Sequence, residues 1–255
     1  MTQVLCSSPI ARLAFAVPML VGCLLFAGNA GAHLFLTTET LRDALERIGE
    51  RHAAIAGQGT EVANPEALYR LGEAARELAE LMNEQVRAHG LGEQALMTEG
   101  IERAKAFGVD IAWSDDHQRF FYDGDAYRGY LQRAPDGPLA ADSRYRLIEL
   151  DFYLGPSDSI DGLEENAEGK REFLESYPDY PVRARIGIFL GIDYRDLYRL
   201  CLERDDADCE DVYARLAIEQ FRKIASEHAD SDSDDGELAM RLLSRTQSEI
   251  ESQPR

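Results

Sequence analysis

The chain has 255 residues, 45% of them hydrophobic, with 47 acidic residues against 27 lysines and arginines and a formal net charge of −20. An acidic excess of this size repels phosphate backbones and argues against nucleic acid and anionic membranes as partners. The hydrophobic fraction is ample for a folded core, and the length suits one extended domain or two small ones.

Residues 1–32 read as a signal peptide rather than as part of the fold. Arg12 is their only charge, an apolar run from Leu13 to Phe26 follows, and Ala30-Gly31-Ala32 is a small-x-small cleavage site. The run is shorter than the ~20 residues of a spanning helix. Leu20-Val21-Gly22-Cys23 resembles the lipobox of bacterial lipoproteins, so Cys23 is a rival site that would carry a lipid anchor and place the chain at the outer membrane. Because Leu24-Leu25-Phe26 continue the apolar run, the cut after Ala32 and soluble periplasmic export are favoured. That cut makes His33 the new N-terminus, where amine and imidazole together could chelate copper. No spaced partner ligand accompanies it.

An N-terminal helical region is expected over residues 33–108. Leu41, Leu45, Ile48 and Ile55 share one helical face after a cap at Thr37 or Thr38, and His52 lies on the same face. Asn64-Pro65 is a strong helix start: asparagine accepts at the cap, and proline sits in the first turn, where no amide donor is needed. Leu68, Leu71, Ala75, Leu78 and Met82 continue at helical spacing to His89-Gly90. A third helix runs from about residue 93 to 107 and stops at Gly108. Residues 109–123 hold Trp113, Phe120, Phe121 and Tyr122 without sustained period and are expected to be a packed connection between the N-terminal helical part and the repeats, its aromatics anchored to the core. Asp115, Asp116 and His117 within it read as a polar loop rather than a metal or acid–base site.

Residues 124–255 carry a pattern that recurs. Tyr130-Leu131-x3-Pro135-Asp136-x-Pro138 is matched by Phe173-Leu174-x3-Pro178-Asp179-x-Pro181, and Pro178 lies 43 residues after Pro135. A weaker copy runs from Ile224 to Asp232. Recurrence at tens of residues signals stacked supersecondary units. Proline ends the first helix, aspartate bonds turn amides, and the second proline opens the next helix. Helix pairs are predicted over 124–134 and 138–153, 160–177 and 181–203, and 209–228 and 235–252. Ile186 to Ile192 alternates like a strand, but its place after Pro181 favours helix, with Gly187 and Gly191 making a shallow face for a neighbour.

These motifs resemble tetratricopeptide-like repeat proteins of the bacterial cell envelope, including outer-membrane assembly lipoproteins and periplasmic coordinators. The residues that carry the likeness are Tyr127, Tyr130, Pro135, Asp136, Pro138, Ala140 and Ala141, then Phe173, Tyr177, Pro178, Asp179, Pro181 and Ala184. The resemblance implies an all-α fold of helical-hairpin repeats and a scaffold that binds a protein or peptide. The period exceeds the ~34 residues of a tetratricopeptide unit. Scaffold folds do not name their partners.

No Gly-x-Ser-x-Gly, His-Glu-x-x-His or phosphate-binding glycine loop is present. The expected protein is therefore not an enzyme and needs no cofactor. Asp230 to Glu237 fails as an EF-hand, because Asp235 and Arg241 stand where glycine and glutamate are needed. Outside the signal, only Cys201 and Cys209 remain. An even pair in an exported chain is expected to form a disulfide that staples a helical hairpin. The alternative to the scaffold reading is a copper-binding or copper-delivery protein that uses His33.

Overall fold

The computed structural model describes residues 36–56, 64–90, 94–115, 117–154, 159–229 and 234–253. Residues 1–35, including Cys23, the Ala30 to Ala32 site and His33, lie outside them, as do Asp116 and Asp230 to Ser233. From Leu36 onward the chain forms one compact unit.

Its first part holds α1 (Thr38–Ala56), α2 (Pro65–His89) and α3 (Gln94–Lys105). Thr37 and Thr40 cap α1 reciprocally, each hydroxyl accepting the other's amide N–H at 3.1 and 2.8 Å. Asn64 Oδ1 accepts the Glu66 N–H at 3.0 Å, and Pro65 opens α2. Gly108, at φ +71°, lets α3 close: the Val109 and Gly108 amides return to the Ala104 and Lys105 carbonyls.

Within residues 109–123 the structure has strands that the sequence pattern does not show. They form an antiparallel hairpin, β1 (Ile111–Ser114) and β2 (Arg119–Tyr122), with Trp113 opposite Phe120 and their rings 4.9 Å apart. Four-residue strands are too short to display a period, and Gln118 makes the turn at φ 50°. Nor is the hairpin a mere link. Buried Asn83 of α2 clasps it, donating to the Phe120 carbonyl at 2.8 Å and accepting the Phe120 N–H at 2.6 Å. Ile111, Phe120 and Tyr122 thereby join Leu45, Ile48, Leu78 and Met82 in the first core, which extends to Ala126 and Tyr127.

Three helix pairs follow: α4 (Asp125–Arg133) with α5 (Ala140–Leu154), α6 (Ile160–Ser176) with α7 (Arg183–Glu203), and α8 (Ala207–Glu227) with α9 (Asp234–Glu251). The stretch Ile186 to Ile192 is helical, within α7. A second core joins α6 to α9 through Leu163, Leu190, Leu197, Phe221, Ile224 and Ala239. A smaller third core of Ile148, Phe173, Ile186 and Phe189 bridges α5, α6 and α7. The architecture is thus all-α helical hairpins with one small hairpin of strands on the N-terminal part, and no described helix is long and apolar enough to cross a membrane.

Candidate functional site

The six turn residues sit at two helix junctions with the same bonding pattern. Pro135, Asp136 and Pro138 join α4 to α5; Pro178, Asp179 and Pro181 join α6 to α7. Ala134 and Tyr177 precede the first prolines with nearly equal backbone angles, φ −142°, ψ 65° and φ −129°, ψ 64°. Their amides return to Tyr130 and Phe173; the Gly137 and Tyr180 amides return to Ala134 and Tyr177; those of Ala140 and Arg183 return to Gly137 and Tyr180. Each of these backbone bonds recurs at the offset of 43. At the third junction the His228 amide bonds the Ile224 carbonyl at 3.1 Å, and the turn itself lies outside the described residues. The second turn also touches the first turn of α5, since Tyr180 donates its hydroxyl to Asp142 Oδ1 at 2.7 Å. None of the six residues lines a cleft described below; they set helix placement.

At the far end of α7 the structure pairs Cys201 with Cys209 in the first turn of α8, with Cα atoms 5.6 Å apart. Asp206 caps α8 by accepting the Cys209 N–H at 3.1 Å. Along the rest of this seam α8 lies directly on glycine. A Cβ at Gly187 would stand 2.9 Å from Ile224, and one at Gly191 would stand 2.8 Å from Phe221 Cδ1.

Two clefts remain as candidate sites. One, lined by α2, β2 and α5, gathers Arg76, Arg119 and Arg146. Arg146 holds Glu73 with two bonds of 2.8 and 3.1 Å and reaches Glu149 at 3.0 Å. Arg119 bonds Glu80 at 2.6 Å and lies 4.0 Å above the Tyr153 ring. Tyr127 donates to Glu73 at 2.7 Å. Although burial opposes it, the bonds from Tyr127 and Arg146 hold the Glu73 carboxyl below its ordinary range, while burial and Glu73 push the Tyr127 hydroxyl up. Arg76, 3.3 Å from Glu73, shares that carboxylate with Arg146, and with Glu80 and Glu149 three carboxylates face three guanidiniums, so the cluster neutralises itself. It ties the first core to α5 and leaves little charge for a ligand.

The other cleft opens between α5 and α6 with Leu131 of α4 at one side. Buried Ile148 and Phe173 line its apolar part, and Asp151, Glu165 and Glu172 are exposed along it. Lys170 also lines it, but its side chain is only 3% exposed and its ammonium lies 2.6 Å from Asp193 Oδ2. Burial raises the Asp193 carboxyl to about 6 against the pull of Lys170, with Asp196 and Asp151 adding to the rise. Desolvation also raises Asp151, opposed by Lys170 and Arg128.

Sequence reasoning had not singled out these groove residues. Lys170 shares a helical stripe with Leu163, Ala167 and Leu174, and Asp193 one with Ile186, Leu190 and Leu197. A charge on an apolar stripe is a readable sign of a buried partner. His52, in contrast, is half-buried beside Phe107 as its spacing indicates. At the hairpin tip Asp115 Oδ1 accepts the Trp113 indole N–H at 2.9 Å and the His117 amide bonds Ser114 Oγ at 3.3 Å. Among the described residues no three His, Cys, Asp or Glu side chains gather as a metal site would require.

No protein family matches the chain, and no curated protein does. Among solved structures it is similar to a de novo designed helical repeat protein, DHR64, at 16% identity over 86% of this chain and 95% of that one, with a TM-score of 0.26. A superposition that loose carries no weight beside the helices and turns themselves.

Proposed function

We propose that the chain is an exported, non-enzymatic helical-repeat scaffold of the bacterial envelope that holds a protein or peptide partner. The observation that carries this reading is the pair of Pro-Asp junctions with the same backbone bonds, 43 residues apart. Hairpins joined in the same way stack in register, and stacked hairpins present extended surfaces and grooves between units. The cleft between α5 and α6 lies at such a boundary. Export draws its support from the apolar leader ending at Ala32 and from the Cys201–Cys209 pair, which an oxidising compartment favours. Secretion of the full chain followed by intact-mass measurement tests the processing: a mature product beginning at His33 is expected, and an acylated product beginning at Cys23 would replace soluble export with a lipid anchor. Site-specific photo-crosslinking from α5 and α6 in envelope preparations tests the scaffold. A discrete crosslinked partner is expected, and its absence from every position on both helices would refute the reading.

A further inference from the structure

We infer that the groove between α5 and α6 docks a cationic segment of the partner, one whose Lys or Arg side chains stand about 10 Å apart on either side of an apolar residue. This deepens the scaffold reading and rests on it.

Charge gives the first argument. Asp151, Glu165 and Glu172 are exposed along the groove, and none makes an ion pair or hydrogen bond with a described residue. The two cations beside them answer only in part: Lys170 is locked to Asp193 in the interior, and Arg144 is exposed and reaches the Pro135 carbonyl at 3.5 Å. Asp151 feels Lys170 and Arg128, whereas Glu165 and Glu172 have no countercharge of their own among the described residues, and such a pair favours a partner of opposite sign. Glu168, Glu164 and Glu249 are instead committed, to Arg171, Tyr213 and Arg199.

Spacing gives the second. Glu165 and Glu172 lie two helical turns apart on the groove side of α6, which puts their stems about 10 Å from each other. A helix with basic residues at i and i+7 matches that separation. Between the two acids α6 contributes Asn166, Gly169 and the buried Lys170; the apolar lining faces them from Leu131 and Leu147, with Ile148 and Phe173 buried beside it, and receives an aliphatic or aromatic side chain of the partner.

Gly169 gives the third. It lies between Glu165 and Glu172 on the same stripe and lines the groove. Glycine inside a helix costs about 1 kcal/mol relative to alanine. At Gly72 and Gly191 the fold requires it, because a Cβ would collide with the Tyr127 or Phe221 ring. At Gly169 a Cβ would meet nothing within 4 Å. The fold leaves that space open, and a bare backbone there permits close approach by another chain.

The test uses the mature full-length protein and three peptides of about 15 residues, near the shortest length at which an isolated helix persists. All three share a central Leu-Phe pair; they carry Lys, Glu or Ser at the flanking i and i+7 positions. Calorimetry is expected to show binding of the lysine peptide alone. Glu165→Lys/Glu172→Lys should weaken it by about tenfold or more, and Gly169→Leu should abolish it with unchanged circular dichroism. Asp211→Lys/Glu219→Lys, which changes net charge equally on exposed positions of α8, should leave the affinity within about twofold. Equal weakening by the α8 variant would show attraction to net charge only and overturn the proposal. Binding of the glutamate or serine peptide in the groove would overturn the cationic assignment and leave the scaffold reading standing. Failure of all three peptides would overturn the groove assignment, and the crosslinking experiment would then decide the scaffold reading separately.

Discussion

Gly191→Ala is expected to destabilise the protein by about 2 kcal/mol, even though alanine is the better helix former. The new methyl would stand 2.8 Å from Phe221 Cδ1 and closer still to Cε1, whereas carbon atoms rest at about 3.5–4 Å. Phe221 is fully buried in the second core and cannot swing aside without vacating its site. Overpacking of this kind costs about 1–3 kcal/mol. Because a rigid ring on the facing helix takes the collision, the upper end applies, and the helix-propensity gain of about 1 kcal/mol offsets part of it. Gly169→Ala is the matched control. It receives the same propensity gain in open space and should stabilise by about 1 kcal/mol. For a chain of this size each kcal/mol moves Tm by about 2–4 °C. Thermal melts followed by far-UV circular dichroism should therefore place Gly191→Ala about 4–8 °C below wild type and Gly169→Ala about 2–4 °C above it. A Gly191→Ala protein that melts at or above wild type would refute the tight α7–α8 seam.

Asn83→Ala removes both bonds to Phe120 and leaves that backbone buried without them, at a cost of about 3 kcal/mol; accelerated exchange of the Phe120 amide checks it, and unchanged protection would contradict the clasp. Glu73 has a lowered carboxyl pKa, so its contribution is present above 4.5 and is lost as pH falls below that value; denaturant midpoints of Glu73→Gln should show a shallower acid slope than wild type. Asp193 has the opposite sign. With its pKa raised to about 6, its stabilising effect is complete below 3.8 and disappears as pH rises through about 6. Carboxyl carbon NMR should find its midpoint near 6, and a midpoint below 3.8 would show that the Lys170 charge outweighs burial. Thiol titration of the exported, unreduced protein should find Cys201 and Cys209 blocked, and reduction should lower stability by about 2–3 kcal/mol; two free thiols would refute the pairing.

What a sequence shows depends on how local the cause is. Asn64-Pro65 and the Pro-Asp turns were legible because capping and φ restriction act within a few residues. The Gly187 and Gly191 face was legible because two glycines one turn apart leave a hollow whatever packs there. The β-hairpin was not, since four residues per strand carry too little alternation and its main clasp comes from Asn83, 37 positions earlier. The groove between α5 and α6 was not legible either. Its existence depends on how far apart two helix axes lie, and that distance is set by Ile148, Phe173, Ile186 and Phe189 acting together. Lys170 and Asp193 fall between these cases: each helix alone shows a charge out of place, and only the fold shows that the two answer one another.

The offset of 43 fixes more than a resemblance between two turns. Since helix end, turn and helix start repeat at one interval from Tyr130 to Arg183, a tandem duplication or deletion of that length would deliver each side chain to an equivalent junction. A change of any other length would put the wrong residue before proline and the wrong carbonyl opposite the waiting amides. Between these two junctions length is quantised: the chain can grow or shorten there by whole units while the hairpin of strands before them and the Cys201–Cys209 pair after them stay as they are.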